Sequence, residues 1–366
     1  MRVLVVNAGS SSLKLSLLGA ADETLAAENL DAPRERLDAE RLDAALAGGL
    51  RDAEAIGCRV VHGGERFREA VVVDDRVEAA LRDLVDLAPL HQPRSLAALD
   101  AVRRALPDVP AVACFDTAFH ATLPPAAATY ALPAAWRERW PLRRYGFHGL
   151  SHAWVHRRVG QLLDGRERPL RLVSAHLGAG ASLCAIGDGR SLDTTMGFTP
   201  LDGLVMATRS GSVDPGLLLW LLERGERSAA QLSDGLEHDS GIRGLAGTAD
   251  MREVEAGAAA GDAAARLALD VYLHRLRGAI AAMAAALGGL DALAFTGGIG
   301  ERSATVRAGA ANGLGFLGVA IDDAANSAAA ADQEIGAAGA RVRTFVIEAR
   351  EDLEIARQTR AALGAA

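Results

Sequence analysis

A strand–turn–strand signature that occurs twice leaves this chain few folds to adopt. The first copy is Val3-Leu4-Val5-Val6, then Asn7-Ala8-Gly9-Ser10-Ser11-Ser12, then Leu13, Leu15 and Leu17 alternating with Lys14 and Ser16. Its apolar run is long enough for a buried strand and too short for a helix. The alternation has the period of a second strand. The second copy is Leu170-Arg171-Leu172-Val173-Ser174-Ala175, then His176-Leu177-Gly178-Ala179-Gly180-Ala181, then Ser182-Leu183-Cys184-Ala185-Ile186. Aligned on Gly9 and Gly178, the strand, the small-residue turn and the return strand all match. Such a repeat reads as an internal duplication of one α/β unit.

Each turn offers backbone N–H groups that can wrap an oxyanion such as phosphate. The first adds three hydroxyls, the Asn7 amide and Lys14, the only lysine among 39 Lys plus Arg. A compact ammonium beside a phosphate-sized nest gives a reason to keep that lysine; an exposed lysine on a hairpin turn is the plainer alternative. Two phosphate turns on two copies of one unit suggest a nucleotide held in a cleft between two lobes. A third glycine stretch, Gly297-Gly298-Ile299-Gly300-Glu301, follows a predicted strand Ala292–Thr296. It reads as a loop before a helix starting at Ser303, a further anion or nucleotide contact. No GxxxxGK[ST] occurs, so this is not a P-loop enzyme.

A length of 366 residues suits two domains. The formal charge of −8 argues against nucleic acid or an anionic membrane as the main partner. Cys58, Cys114 and Cys184 lie far apart and form no CxxC, which fits a cytosolic protein with buried thiols. The start runs straight into a strand, so no secretory signal is expected. Gly278 to Phe295 is apolar but contains Asp291, and reads as a packed helix followed by a strand. Thr122 to Pro141 holds four of the twelve prolines and two of the four tryptophans, a surface excursion or hinge.

Arg59, Asp116, His148 and Arg209 each sit among small residues at an element end, where polar side chains more often serve function than on helix faces. Arg209, in Leu201 to Pro215, is well placed to reach a phosphate; pairing with Asp214 is the structural alternative. His148, His152 and His156 recur every four residues, which on one helix could bind zinc. Gly146 and Gly149 instead put His148 ahead of the helix, with Ser151 as N-cap. His148 then becomes a loop donor to an oxyanion, backed by two structural histidines.

These stretches together resemble the acetate kinase family of the sugar kinase–heat shock–actin superfamily. The resemblance runs in order through VNAGSSSLK at 6–14, RVVHGGE at 59–65, LAPLHQP at 87–93, FDTAFH at 115–120 and YGFHGLSH at 145–152. It continues through HLGAGAS at 176–182, DTTMGFTPLDGL at 193–204, TRSGSVDPG at 208–216 and FTGGIGE at 295–301. It implies a two-lobed, duplicated, ribonuclease-H-like α/β fold (the actin-like ATPase fold) with an interlobe cleft. The lobes would be residues 1–118 plus 353–366, on the acyl and phosphate side, and 119–352, for nucleotide binding and dimerisation. The implied enzyme is a cytoplasmic homodimer that transfers the γ-phosphoryl of ATP reversibly to acetate or another short carboxylate.

By the same resemblance, Asn7 and Glu351 would serve Mg²⁺, with Mn²⁺ as a substitute. Arg59 would bind the carboxylate or the moving phosphoryl, and His148 and Arg209 would stabilise transition-state charge. Asp116, often given as the acid/base residue in such enzymes, is better assigned to positioning metal-bound water and Arg59, because acetate is already ionised at neutral pH. Val61, Leu90, Phe147 and Pro200 would form the acyl pocket. Lys14, Ser10, Ser12, His176, Leu177, Gly178, Ala179, Gly180, Asp250, Met251, Arg252, Gly297, Gly298, Ile299, Gly300 and Glu301 would contact the nucleotide. Three departures stand out: Ala179 and Arg302 each replace a usual asparagine, and Glu351 sits in an altered final motif where Glu348 is a rival. Two other readings stay open: a propionate or butyrate kinase, and a nucleotide-binding regulator with little catalysis.

Overall fold

A computed structural model describes residues 1–9, 12–31, 44–46, 49–89, 91–163 and 170–365. The chain divides into two compact units. One comprises Met1–Ala121, Phe147–Trp154 and Arg350–Ala366; the other comprises Thr122–Gly146 and Val155–Ala349.

In the first unit the opening repeat becomes β1 (Val3–Ala8) and β2 (Ser12–Leu18), extended by β3 (Thr24–Asp31). β4 (Ala55–Val60), the short β5 (Val71–Val72) and β6 (Ala111–Phe115) complete a six-stranded sheet of order β3-β2-β1-β4-β6-β5. β1, β4 and β6 run parallel, and the remaining pairings are antiparallel. The unbroken apolar run of β1 is explained by burial on both faces. Leu4 and Val6 join a core with Leu96, Leu99 and Val102 of the helix Gln92–Ala105. Val3 and Val5 join Ile355 and Ala356 of the C-terminal helix Glu351–Ala362 on the other face. β2 is one-sided: Leu13, Leu15 and Leu17 are buried while Lys14 is exposed.

The second unit repeats the plan. β7 (Leu172–Leu177), β8 (Ala181–Gly187) and β9 (Arg190–Thr194) form the antiparallel triplet. β10 (Ala292–Thr296), β11 (Gln333–Glu334) and β12 (Arg343–Val346) complete the order β9-β8-β7-β10-β12-β11. β10 lies parallel to β7 and β12, and β11 is the antiparallel edge. Strand for strand this is the first sheet again, so the duplication visible in two short stretches extends through six strands. The apolar stretch before β10 is the end of a 24-residue helix, Ala263–Ala286, whose N-terminus is capped by Asp262. Among the described residues no helix is long and apolar enough to cross a membrane.

Local expectations are revised in two places. Ser151 does not cap the helix it precedes in sequence reasoning; the helix is Gly149–Leu162 and Ser151 is buried inside its first turn. The start shifts because Gly149 packs directly on the Asp116 carbonyl, to which its N–H donates at 2.9 Å. The stretch 297–301 is not a loop: Gly297–Arg302 is a short helix, and Ser303 caps the next one, Ala304–Asn312, accepting from the Val306 N–H. The Gly313–Gly318 segment has G-x-G-x-x-G spacing, but it follows that helix and contains a 3₁₀ turn, Gly315–Leu317. A dinucleotide fingerprint needs a strand before the glycines.

Candidate active site

The parallel arrangement of β1, β4 and β6 gathers their carboxyl ends, where α/β sheets place ligands. Asn7 lies on β1, Arg59 on β4, and Asp116 directly after β6. Arg59 grips Asp116 with two bonds, Nη2 to Oδ2 at 2.5 Å and Nε to Oδ1 at 3.0 Å. Its Nη1 donates to the Ala8 carbonyl at 3.2 Å and to Asn7 Oδ1 at 3.4 Å. The Asn7 amide in turn donates to Glu351 Oε2 at 2.8 Å. Glu351, the first residue of the C-terminal helix, also acts electrostatically on both Arg59 and Asp116. Of the two rivals, Glu351 is the one that the Asn7 amide meets.

The Arg59–Asp116 pair is almost fully buried, with side chains 14% and 2% exposed. Burial opposes charge on Arg59, yet the adjacent carboxylate outweighs it and holds the guanidinium above its ordinary range. For Asp116 burial dominates and raises the carboxyl, with Arg59 pulling against it.

His148 is the residue before its helix, as the glycines suggested. Its φ of 56° is left-handed, a conformation uncommon for a non-glycine residue. Three bonds hold it there. The His148 N–H points at the Asp116 carboxylate. The Gly149 N–H donates to the Asp116 carbonyl, and a Cβ on Gly149 would sit 2.1 Å from that oxygen. His120 Nε2 lies 2.9 Å from the Phe147 carbonyl, which can only accept, so Nε2 carries the proton. The ring of His152 packs against that of His120 at 5.7 Å.

Of the four residues expected to form an acyl pocket, Val61 and Phe147 are buried in this unit. Gln92 fixes the backbone beside Val61, accepting from the His62 N–H and donating to the His62 carbonyl, both at 3.0 Å. Burial pulls the His62 imidazole down to about 4, so it is neutral at physiological pH. Leu90, Ser10 and the side chain of Ser12 lie outside the described residues.

In the second unit, β7 ends at His176–Leu177 and the chain bends through Gly178, Ala179 and Gly180, closed by Gly178 N–H to Gly180 O at 3.0 Å. Two further segments abut this turn. The Ala207 N–H donates to Ala179 O at 3.1 Å, bringing in the segment that carries Arg209. The Gly298 nitrogen lies 3.9 Å from where a Cβ on Gly178 would stand. Gly297, Gly298, Ile299, Gly300 and Glu301 are held from below by Arg307, a buried guanidinium that donates to the carbonyls of Gly300 at 2.9 Å and Glu301 at 2.7 Å. Asp250 caps the helix Met251–Ala259 and pairs with Arg252 at 2.5 Å, which holds its carboxyl at about 2. Met251 is buried.

Arg209 does not pair with Asp214, which caps the helix Pro215–Glu223. It donates to the Pro200 carbonyl at 2.9 Å and faces Glu237 at 3.6 Å. Burial lowers its pKa and Glu237 opposes that. A guanidinium remains charged regardless.

Sequence reasoning missed His62, Gln92, His120, Glu237 and Arg307. His62, Gln92 and His120 lie inside motifs it had quoted. Glu237 and Arg307 carry no local signal, since their partners are distant in sequence.

Comparison with known proteins adds four matches. A family model described as the acetokinase family matches residues 38–357. An acetate kinase from Leifsonia xyli subsp. xyli is 46% identical over 393 aligned residues, covering 99% of both chains. Among solved structures, an acetate kinase from Porphyromonas gingivalis superposes with a TM-score of 0.89 at 34% identity over 99% of each chain. A propionate kinase from Francisella tularensis superposes at 0.91 and 34% identity, covering 98% of this chain and 99% of its own.

Proposed function

The chain belongs to the acetokinase family and transfers phosphate from ATP to acetate, and from that premise we propose how its residues carry the reaction. The observation that carries the reading is the buried, two-bond Arg59–Asp116 pair set among Asn7, His148 and Glu351. Arg59 binds the carboxylate of acetate, whose methyl group meets Val61 and Phe147. The carboxylate is ionised at neutral pH, so no base is needed. One of its oxygens forms the new bond to the γ-phosphorus as the bond to the ADP oxygen breaks. Catalysis is then positioning and charge stabilisation: His148, Arg209 and Arg59 meet the oxygens of the transferring group. Asp116 keeps Arg59 and the His148 backbone in place and is itself a positioning residue.

The carboxylates of Glu351 and Asp116 and the amide oxygen of Asn7 are hard oxygen donors of the kind Mg²⁺ takes, and one guanidinium leaves their charge only half balanced. Asn7 and Glu351 would hold it, and Mn²⁺ could replace it; the ion would neutralise phosphate charge. His176–Gly180, Asp250, Arg252 and Gly297–Glu301 hold the nucleotide, with Lys14 at the first turn. The helix Pro215–Glu223 has no buried residue and exposes Leu217, Leu219, Trp220 and Leu222. A helix that is apolar around its circumference and still exposed marks an interaction surface, and we assign it to a second copy of the chain in a homodimer. The free, buried thiols Cys58, Cys114 and Cys184 suit a reducing, cytoplasmic setting.

ADP release coupled to acyl phosphate formation, measured across acetate, propionate and butyrate, tests the reading. One methylene is worth about 1–3 kcal/mol in an apolar pocket, so acetate should lead, with propionate a partial substrate. A higher kcat/KM for butyrate would refute the pocket assignment.

A further inference from the structure

The two duplicated turns are unequally equipped. Aligned on Gly9 and Gly178, the three hydroxyls of Ser10, Ser11 and Ser12 correspond to Ala179, Gly180 and Ala181, and Lys14 corresponds to Leu183. Leu183 is fully buried. The second turn thus keeps the backbone N–H groups but has no hydroxyl and no cation of its own. A nucleoside triphosphate brings several negative charges to such a turn, and backbone dipoles alone neutralise them weakly.

A cation stands next door. Arg302 ends the short helix Gly297–Arg302 and is exposed. Its side chain does not extend away from the protein. It folds back one turn, so that Nη2 comes within 2.8 Å of where a Cβ on Gly298 would stand. A side chain at 298 would displace the guanidinium from that position. Gly298 is also the residue whose nitrogen lies beside Gly178. Gly298 therefore neighbours both the guanidinium and the second turn. Among the described residues the Arg302 side chain makes no ion pair or hydrogen bond, whereas Arg252 is paired with Asp250 and Arg307 is buried among carbonyls. Its charge is not committed to a protein carboxylate.

We propose that Arg302 is a nucleotide-affinity determinant of this chain: its guanidinium takes phosphate oxygens of the nucleoside di- or triphosphate at the second turn and supplies the donors that Ala179 and its neighbours lack. The inference rests on the reading that the second unit holds the nucleotide. Arginine suits the task because its planar fork can meet two phosphate oxygens at once.

Titration calorimetry of ADP and adenosine against the unmodified protein, Arg302→Ala and Arg302→Lys, with steady-state kinetics on each, provides the test. A hydrogen bond to a charged group is worth enough for about a tenfold loss of affinity. Arg302→Ala should weaken ADP and raise the KM for ATP by about that factor. Adenosine affinity, the KM for acetate and kcat should stay within about twofold, and the difference should shrink at high salt. Arg302→Lys should fall between the two, keeping charge without the fork. Adding Ala179→Ser to Arg302→Ala should recover part of the ADP affinity. Unchanged ADP binding in a folded Arg302→Ala protein would overturn the proposal. So would an equal loss for adenosine, or a fall in kcat and acetate affinity alongside ATP. An unmodified protein that forms acetyl phosphate while Arg302→Ala binds ADP normally refutes Arg302 alone; an unmodified protein that binds no nucleotide refutes the reading beneath it.

Discussion

Replacing Arg209 by alanine separates catalysis from packing. The side chain is 16% exposed and uses one N–H on the Pro200 carbonyl at 2.9 Å. Glu237, at 3.6 Å, lies beyond hydrogen-bond reach and adds only Coulomb attraction. Most of the five donors of the guanidinium therefore remain for a phosphoryl group. Losing the carbonyl bond and the loose pair should cost about 2–3 kcal/mol of stability, read as a melting point lower by several degrees. Losing a transition-state arginine should lower kcat by about 10³ or more, or about 4 kcal/mol at about 1.36 kcal/mol per decade. The KM for ATP should change far less, because the contact is made mainly in the transition state. Arg209→Lys should restore only part of the rate, since it keeps charge but loses the fork. Thermal melts beside steady-state kinetics decide the matter. A folded Arg209→Ala enzyme with near-normal kcat would refute the catalytic role, and one that fails to fold while Arg209→Lys is fully active would show that only charge and packing matter.

Three further outcomes follow from the first unit and the exposed helix. Burial raises the Asp116 carboxyl above the ordinary 3.8, so as pH falls it takes up a proton sooner than a free aspartate and releases Arg59; kcat at saturating acetate should drop on that limb, and Asp116→Asn should be nearly inactive at every pH and lack the limb. A Cβ at position 149 would lie 2.1 Å from the Asp116 carbonyl, so Gly149→Ala should cost about 1–3 kcal/mol of stability and lower kcat by displacing His148; normal kinetics would show that His148's backbone position is not critical. Trp220→Glu should convert a dimer to a monomer in light scattering, and an unchanged mass would remove the Pro215–Glu223 helix from the interface.

Much of this arrangement could be read from residues close together in sequence. The duplication was legible because a strand, a tight turn and a return strand leave a local pattern, and the same pattern put Asn7 at the end of β1. Arg59 and Asp116 were legible as candidates because both stand where an apolar run meets small residues. What the chain does not announce is long-range geometry. The left-handed backbone of His148 exists because Asp116 and His120 hold residues 147–149 from a distant loop, and that clamp also moved the helix start ahead of Ser151. Arg209 faces Glu237, 28 positions on, because Asp214 is already committed to capping its own helix. The glycines at 297–301 form a helix because Arg307 collects the carbonyls of Gly300 and Glu301 from the next helix.

The central claim is a single, direct transfer from ATP to an ionised carboxylate, with the protein's charges doing the stabilising and no protein group carrying the phosphoryl. The stereochemistry at phosphorus tests it most directly. With ATP made chiral at the γ-phosphorus by oxygen isotopes, in-line attack by acetate predicts inversion in the acetyl phosphate formed. Retention would mean two successive transfers through a phosphorylated residue, and would contradict the roles given to Arg59, Asp116, His148 and Arg209.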